Sequence, residues 1–397
     1  MIVTDGRIRW VGPAARLKIP AGAETVDCSG KFIVPGIINL HGHLGNVVGL
    51  VQDPKNFTRQ NVEAQLATYA RYGVTSVLSM GSDQPLIFDL RAEQRAGRPK
   101  LTRIFTAGRG FTGPGGYPTT APGMKGVPYE VATVEDVKKA LAELAPKKPD
   151  ILKIWVDDHL GKEVKIPLEI STAIIQEGRK LGLRTAAHIF YYEDAKALAE
   201  RGLYATAHSV RDKPVDQALI NAMKKSGTWQ LGTLVRELSV FVFSEPPDFL
   251  KDPFFTMSVA PEVIQTIDSP AYRKRLQSDP DVPKYRGFLK TAQQNLKTLY
   301  DAGVKVGFAT DSGPPARFSG FFEHKEMELM TEAGFRPLEI ITIFSKNSAE
   351  FLRMSKDLGT VEPGHWADFI ILTKNPADDI KNMRAIDAVY IAGNRVR

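Results

Sequence analysis

The chain has 397 residues, 43% hydrophobic and 24% charged, which fits a globular protein of two or three domains or one barrel with an appendage. Its net charge of +7 is scattered without a basic block, which argues against a nucleic-acid partner and leaves a positive field that would favour anionic substrates. No apolar run approaches the ~20 residues of a membrane span, so no integral membrane segment is expected.

Residues 1–31 carry turn signals (Asp5-Gly6, Gly12-Pro13, Pro20-Ala21-Gly22) between short β runs. They do not read as a signal peptide, and a cytoplasmic location is the default expectation. The chain opens already inside a strand–turn–strand pattern. Cys28 is the only cysteine, which excludes an intrachain disulfide and a cysteine-based zinc site.

From Phe32 onward, strand and helix alternate. The β-branched run from Phe32 to Leu40 reads as a buried strand that delivers His41 and His43 from alternate positions. A helix from Thr58 to Tyr72 precedes the strand Val74 to Met80. A helix from Pro85 to Ala96 precedes the strand Arg103 to Ala107. A Gly/Pro-rich loop, Gly108 to Pro128, leads to a helix beginning near Val134. The strand Ile151 to Val156 contains Lys153, and a helix from Leu168 to Leu181 follows it. Strands Arg184 to Ile189 and Tyr204 to Ser209 flank a helix from Tyr192 to Arg201. Thr228 to Leu234 is the seventh strand, and Val304 to Asp311 is the eighth.

Eight strand–helix units predict an α/β fold, a (β/α)8 TIM barrel over residues 38–357. The β-rich ends, residues 1–37 and 358–397, predict a small composite β-sandwich domain made from both termini. His41, His43, Lys153, His188, His208 and Asp311 then fall at strand ends, where such a barrel builds its site. Imidazole and carboxylate suit a divalent metal, and a lysine in a fully apolar strand needs a partner to offset its desolvation. Each residue also has an ordinary structural reading, a core histidine or a turn-capping aspartate.

With these residues the chain resembles the amidohydrolase superfamily over nearly its whole length. Pro35-Gly36-Ile37-Ile38-Asn39-Leu40-His41-Gly42-His43 looks like the family's first-strand signature. Lys153, His188, His208 and Asp311 match the positions of its remaining ligands. The tail from Leu358 to Phe369 resembles the family's closing motif. The chain looks most like the imidazolonepropionase-like branch, which includes Xaa-Pro dipeptidases.

The resemblance implies a binuclear site holding two divalent cations, zinc being expected, bridged by a CO2-derived carbamate on Lys153. His41, His43 and Asp311 would hold the more buried metal, and His188 and His208 the other. A metal-bridging hydroxide would cleave an amide C–N bond of a small substrate such as a dipeptide or N-acyl amino acid. Asp311 would be the catalytic residue that carries the proton to the leaving amine.

Alternatives from other classes are a mononuclear cyclic-amide hydrolase or deaminase, a lactone or phosphotriester hydrolase, and a catalytically silent binding homologue. A homo-oligomer is expected.

The chain departs from the family pattern in two places. The usual strand ahead of Val3 is missing, and Tyr117 stands where a histidine is common. Tyr117, Tyr191, Tyr192 and Arg211 are the candidate substrate contacts, Arg211 as a bidentate carboxylate clamp. His324 is expected on the helix after strand eight, and His159 and His365 on the surface or in loops, none of them as ligands.

Overall fold

In the computed structural model, which describes residues 1–397, the alternating units close into one barrel. Its strands are Ile37–Gly42, Val74–Ser79, Arg103–Thr106, Leu152–Val156, Thr185–Ile189, Ala205–Ala207, Trp229–Gly232 and Val306–Phe308. Strands one to three pair in parallel, and so do strands four to eight. Strand three breaks after Thr106 and resumes at Phe111–Thr112, where Phe111 meets Ile154 of strand four. The last seam joins strand eight to strand one. There the Asp311 amide donates to the His41 carbonyl at 2.7 Å, and the His43 amide to the Ser312 carbonyl at 2.8 Å.

Alternation along each strand separates two layers. Leu152, Ile154 and Val156 pack outward against helix residues such as Ile170, Ile174 and Leu198. Lys153 and Trp155 therefore face inward. Ile38, Leu40, Leu78, Phe105, Ala186 and Leu231 fill the barrel interior, joined by Phe351, Leu352 and Leu358. The helices begin where the sequence supplies caps: Thr58 accepts from the Asn61 amide, and Thr133 and Asp136 form a capping box.

Between strands seven and eight lies a long helical excursion that the sequence pattern left unassigned. It comprises Leu234–Phe241, Pro253–Thr256, Pro261–Ile267, Pro270–Gln277 and Lys284–Asp301. Three of these helices start on a proline, a residue suited to a first turn but easily read as loop punctuation. The excursion forms one wall of the cavity above the barrel.

The two chain ends share a sheet. Phe32–Pro35 runs antiparallel to Phe369–Leu372, which pairs with Ile386–Ile391 and through it with Asn394–Arg395. The hairpin of Ile2–Thr4 and Arg7–Trp10 covers that sheet, with Ile8 packed among Ala367, Phe369, Ile371 and Ala388. Beyond the hairpin, residues 11–31 contain only the short turn Ala14–Arg16 rather than further β runs.

Candidate metal centre

Four of the six expected ligands, His41, His43, His188 and Asp311, line a cavity of about 560 Å³; His208 meets His188 and Lys153 meets His41 behind them, Lys153 from within its strand rather than from its end. Strict alternation would send Leu40 and His41 to opposite faces, yet Leu40 belongs to the barrel interior and His41 reaches the centre. The register shift between Asn39 and Gly42 accounts for this: a local irregularity re-aims the imidazole. His208 and Asp311 sit just past the ends of their strands at φ of 77° and 60°. Left-handed backbone is costly for residues with a Cβ, and its occurrence at two candidate ligands marks the site as strained. Gly313 lets this loop approach closely, because a Cβ there would lie 2.0 Å from the His43 carbonyl oxygen.

The inner atoms lie within reach of one another. His43 Nε2 is 2.9 Å and His41 Nε2 3.3 Å from Asp311 Oδ1. His188 Nδ1 is 2.8 Å from His208 Nε2. Lys153 Nζ, on a residue with 0% exposure, has His41 Nε2 at 3.4 Å and pairs with no carboxylate. Burial pushes this amine down to about 7, partly opposed by Asp311. A neutral amine is the form that can react with CO2.

Three of the four rings are held from behind. Ser82 Oγ lies 2.8 Å from His43 Nδ1, Asp157 Oδ2 2.8 Å from His188 Nε2, and Thr233 Oγ1 2.6 Å from His208 Nδ1. Such outer partners fix the tautomer and aim the other nitrogen as a ligand. With the Asp157 carboxylate accepting from His188 Nε2, His188 Nδ1 presents a lone pair on the side of His208 Nε2. His41 Nδ1 is buried without any partner.

The electrostatics suit the same role. Burial depresses the imidazoles: His188 falls to about 3, and His41 and His208 well below the usual range, so all three are neutral donors. Burial alone would raise the Asp311 carboxyl, but Arg317, with His41 and His43, outweighs it and holds the group well below the carboxylate range. Arg317 Nη1 bonds Asp311 Oδ2 directly. Donor set, burial and orientation therefore fit divalent cations.

The substrate candidates fare unevenly. Tyr117 lines the cavity, its ring centroid 5.2 Å from that of His188. Tyr191 and Tyr192 do not reach the cavity, because their hydroxyls bond Asp158 and Asp216. Arg211 is a correction: it is fully buried beneath the floor, bonded to the Ile189 and Ser209 carbonyls and ion-paired with Glu237. The cavity is lined instead by Arg236 and Arg317, which sequence spacing did not single out.

His324 lies on the helix Phe321–Glu332, 2.8 Å from the Tyr72 carbonyl, away from the centre. His159 is a loop residue at the cavity edge beside Tyr117. His365 is in a loop, but it is buried rather than on the surface.

Comparison with known proteins gives the same grouping. The chain is 29% identical over 138 residues to imidazolonepropionase of Acidiphilium cryptum, a match covering 25% of this chain but only 34% of that protein. It is 23% identical over 426 aligned residues to 5-methylthioadenosine/S-adenosylhomocysteine deaminase of Bacillus cereus, covering 94% of this chain and 83% of that one. The fold superimposes on a Xaa-Pro dipeptidase crystallised with methionine in its active site, at a TM-score of 0.76 and 20% identity, covering 99% of this chain and 93% of that one. Because the Amidohydrolase family model matches residues 32–396, nearly the whole barrel and the closing sheet, the chain belongs to the amidohydrolase family.

Proposed function

We propose that this chain is a binuclear metal-dependent hydrolase that cleaves the amide C–N bond of a small substrate such as a dipeptide or N-acyl amino acid. The observation that carries this reading is the convergence of His41, His43, Lys153, His188, His208 and Asp311, with outer partners that turn their free nitrogens inward. His41, His43 and Asp311 would hold one cation, His188 and His208 the other, and carboxylated Lys153 would bridge them. The Lys153 nitrogen, as a neutral amine, would bond the carbon of CO2 and lose one proton to give that carbamate.

When bound, the cations would lower the pKa of water to about 7 and polarise the substrate carbonyl. Asp311 takes the proton of the attacking water at a carboxylate oxygen and delivers it to the departing nitrogen, so that one C–O bond forms as the C–N bond breaks. Arg317 orients the Asp311 carboxylate from the side opposite His43. Tyr117 roofs the floor beside His188 and lies within reach of a substrate polar group.

A second reading rests on a smaller group: the ligand atoms of His41, His208 and Asp311 alone lie within 4.8 Å of one another, which would suit a mononuclear deaminase. Elemental analysis of the purified protein separates the two. Near two equivalents of metal with turnover in a dipeptide and N-acyl amino acid panel supports the binuclear hydrolase. One equivalent, with ammonia released from a nucleoside or cyclic amide, supports the other.

A further inference from the structure

Among the cations that line the cavity, Arg236 alone combines near-complete burial with an unsatisfied edge. It stands in the first turn of Leu234–Phe241 and is only 2% exposed. Its Nη1 is spent on Glu237, at 3.0 Å from one carboxylate oxygen and 3.2 Å from the other. Its Nε is buried with no partner, and its Nη2 bonds no protein atom. Of the other cations in the lining, Arg317 and Lys162 have carboxylates of their own in Asp311 and Asp281, and Arg275 is exposed to solvent.

Glu237 is buried and is shared: Arg211 Nε lies 3.0 Å from its Oε1 and Arg236 Nη1 3.0 Å from its Oε2. Asp157 and Asp311 are the other buried carboxylates that act on this pair. What stays unspent is a donor edge of Arg236: a buried N–H without a partner, beside a cavity, is a place for an acceptor. The Nε–Nη2 edge of a guanidinium is a two-donor fork that matches a carboxylate side-on. The same cavity also presents apolar side chains, among them Leu44, Val47, Leu50, Val240 and Val282.

We propose that Arg236 is the specificity-determining residue of the cavity and that it docks the carboxylate of a substrate that also carries an apolar group. The proposal rests on the hydrolase reading for the fate of the bound molecule, but not for its binding. Arg236 and Tyr117 line the same cavity, with Tyr117 against His188. A substrate anchored there would present its amide towards the floor of the cavity.

Calorimetric titration with a matched pair, N-acetyl-L-phenylalanine and N-acetyl-L-phenylalaninamide, tests this without requiring turnover. The protein should prefer the acid by roughly tenfold to a hundredfold, the scale of a charge-assisted bidentate contact. Arg236→Met should bring the ratio close to one; it leaves Glu237 paired with Arg211. Arg236→Lys should retain charge without the fork and keep only part of the preference. An equal affinity for acid and amide in the parent overturns the proposal. So does an undiminished preference in Arg236→Met, which would mean that the carboxylate binds the metal centre instead, and a full preference in Arg236→Lys refutes the two-donor docking. A protein that shows the preference but hydrolyses no amide keeps this inference and loses the hydrolase reading.

Discussion

The Asp157 carboxylate meets His188 Nε2 at 2.8 Å, and both residues are buried. The carboxylate is stabilised in its charged form; burial would raise it, but the bond to His188, then Arg211 and Arg236, holds it well below its ordinary range. It therefore acts as a fixed acceptor that leaves His188 Nδ1 free. Asp157→Asn should lower affinity for the second metal equivalent by roughly 10–100-fold, the usual scale for an outer partner of a ligating histidine. Equilibrium dialysis against a metal buffer measures this. Affinity equal to the parent's would reduce Asp157 to a packing residue.

Lys153 separates a bridge from a buried cation. Lys153→Ala should lose most bound metal and activity, and bicarbonate with short carboxylic acids should partly restore both. Lys153→Arg should fail as well, because a permanent guanidinium would be repelled by two dications. The readout is metal stoichiometry alongside turnover. Full occupancy in the alanine variant would show that the lysine only fills the barrel. Its stem is packed against Gly81, where a Cβ would lie 2.8 Å from Lys153 Cγ, and its amine meets His41 Nε2 rather than a carboxylate.

Asp311 is assigned two tasks, and Asp311→Asn divides them. The amide keeps the shape and one acceptor oxygen but cannot carry a proton at neutral pH. Metal content should fall modestly, while kcat drops by at least ~10²-fold, the scale for losing a general acid–base group. His188→Ala should instead lose metal first and activity in consequence. Near-normal turnover in Asp311→Asn would assign the proton transfer to another group.

The sequence made the centre legible because the histidines and Asp311 close apolar runs and Lys153 interrupts one, and an apolar run has a recognisable period. Lys153 stood out for the same reason, as a cation amid Ile151, Leu152, Ile154 and Trp155. What supports and surrounds the ligands was not legible. Ser82, Asp157 and Thr233 are ordinary polar residues just past strand ends, and only the folded chain shows them behind His43, His188 and His208. Arg211 was misassigned because its spacing from His208 says nothing of which way the chain turns at φ 77°. Arg236 went unnoticed because it stands just past strand seven, in the excursion whose short proline-led helices carry no long period.

The seam between strands one and eight gives a stability prediction. Glu323 accepts from Asn39, Thr310, Ser312 and the Gly320 amide in a fully buried cluster, and Tyr69 joins it through Ser312. The cluster ties the backbone beneath His41 and Asp311 on both sides of the seam. Glu323→Ala would leave several buried donors unpaired, at roughly 1–3 kcal/mol each before relaxation, so a total loss of about 3–5 kcal/mol is expected. Urea unfolding measures it. A loss below about 1 kcal/mol would mean that water replaces the carboxylate.

Acid should destabilise the metal-free protein through its buried neutral histidines, and His324 allows the effect to be isolated. Burial drags His324 down to about 3 despite its bond to the Tyr72 carbonyl, and it lies apart from the centre, so metal does not confuse the measurement. The unfolded chain protonates this residue near its ordinary value of about 6.5, whereas the folded chain does not until about 3. Between those values the unfolded state binds more protons, so stability rises with pH and falls as the solution is acidified from about 6.5 towards 3. Each such histidine adds a slope of about 1.4 kcal/mol per pH unit within that window. His188 is depressed to the same level and should contribute in the same direction. His324→Gln keeps a side-chain N–H for the Tyr72 carbonyl and cannot titrate. Urea midpoints of the metal-free parent should therefore fall more steeply between pH 6.5 and 4 than those of His324→Gln, while the two should run parallel above pH 7.5. Parallel behaviour throughout would mean that the ring of His324 is hydrated and titrates alike in both states.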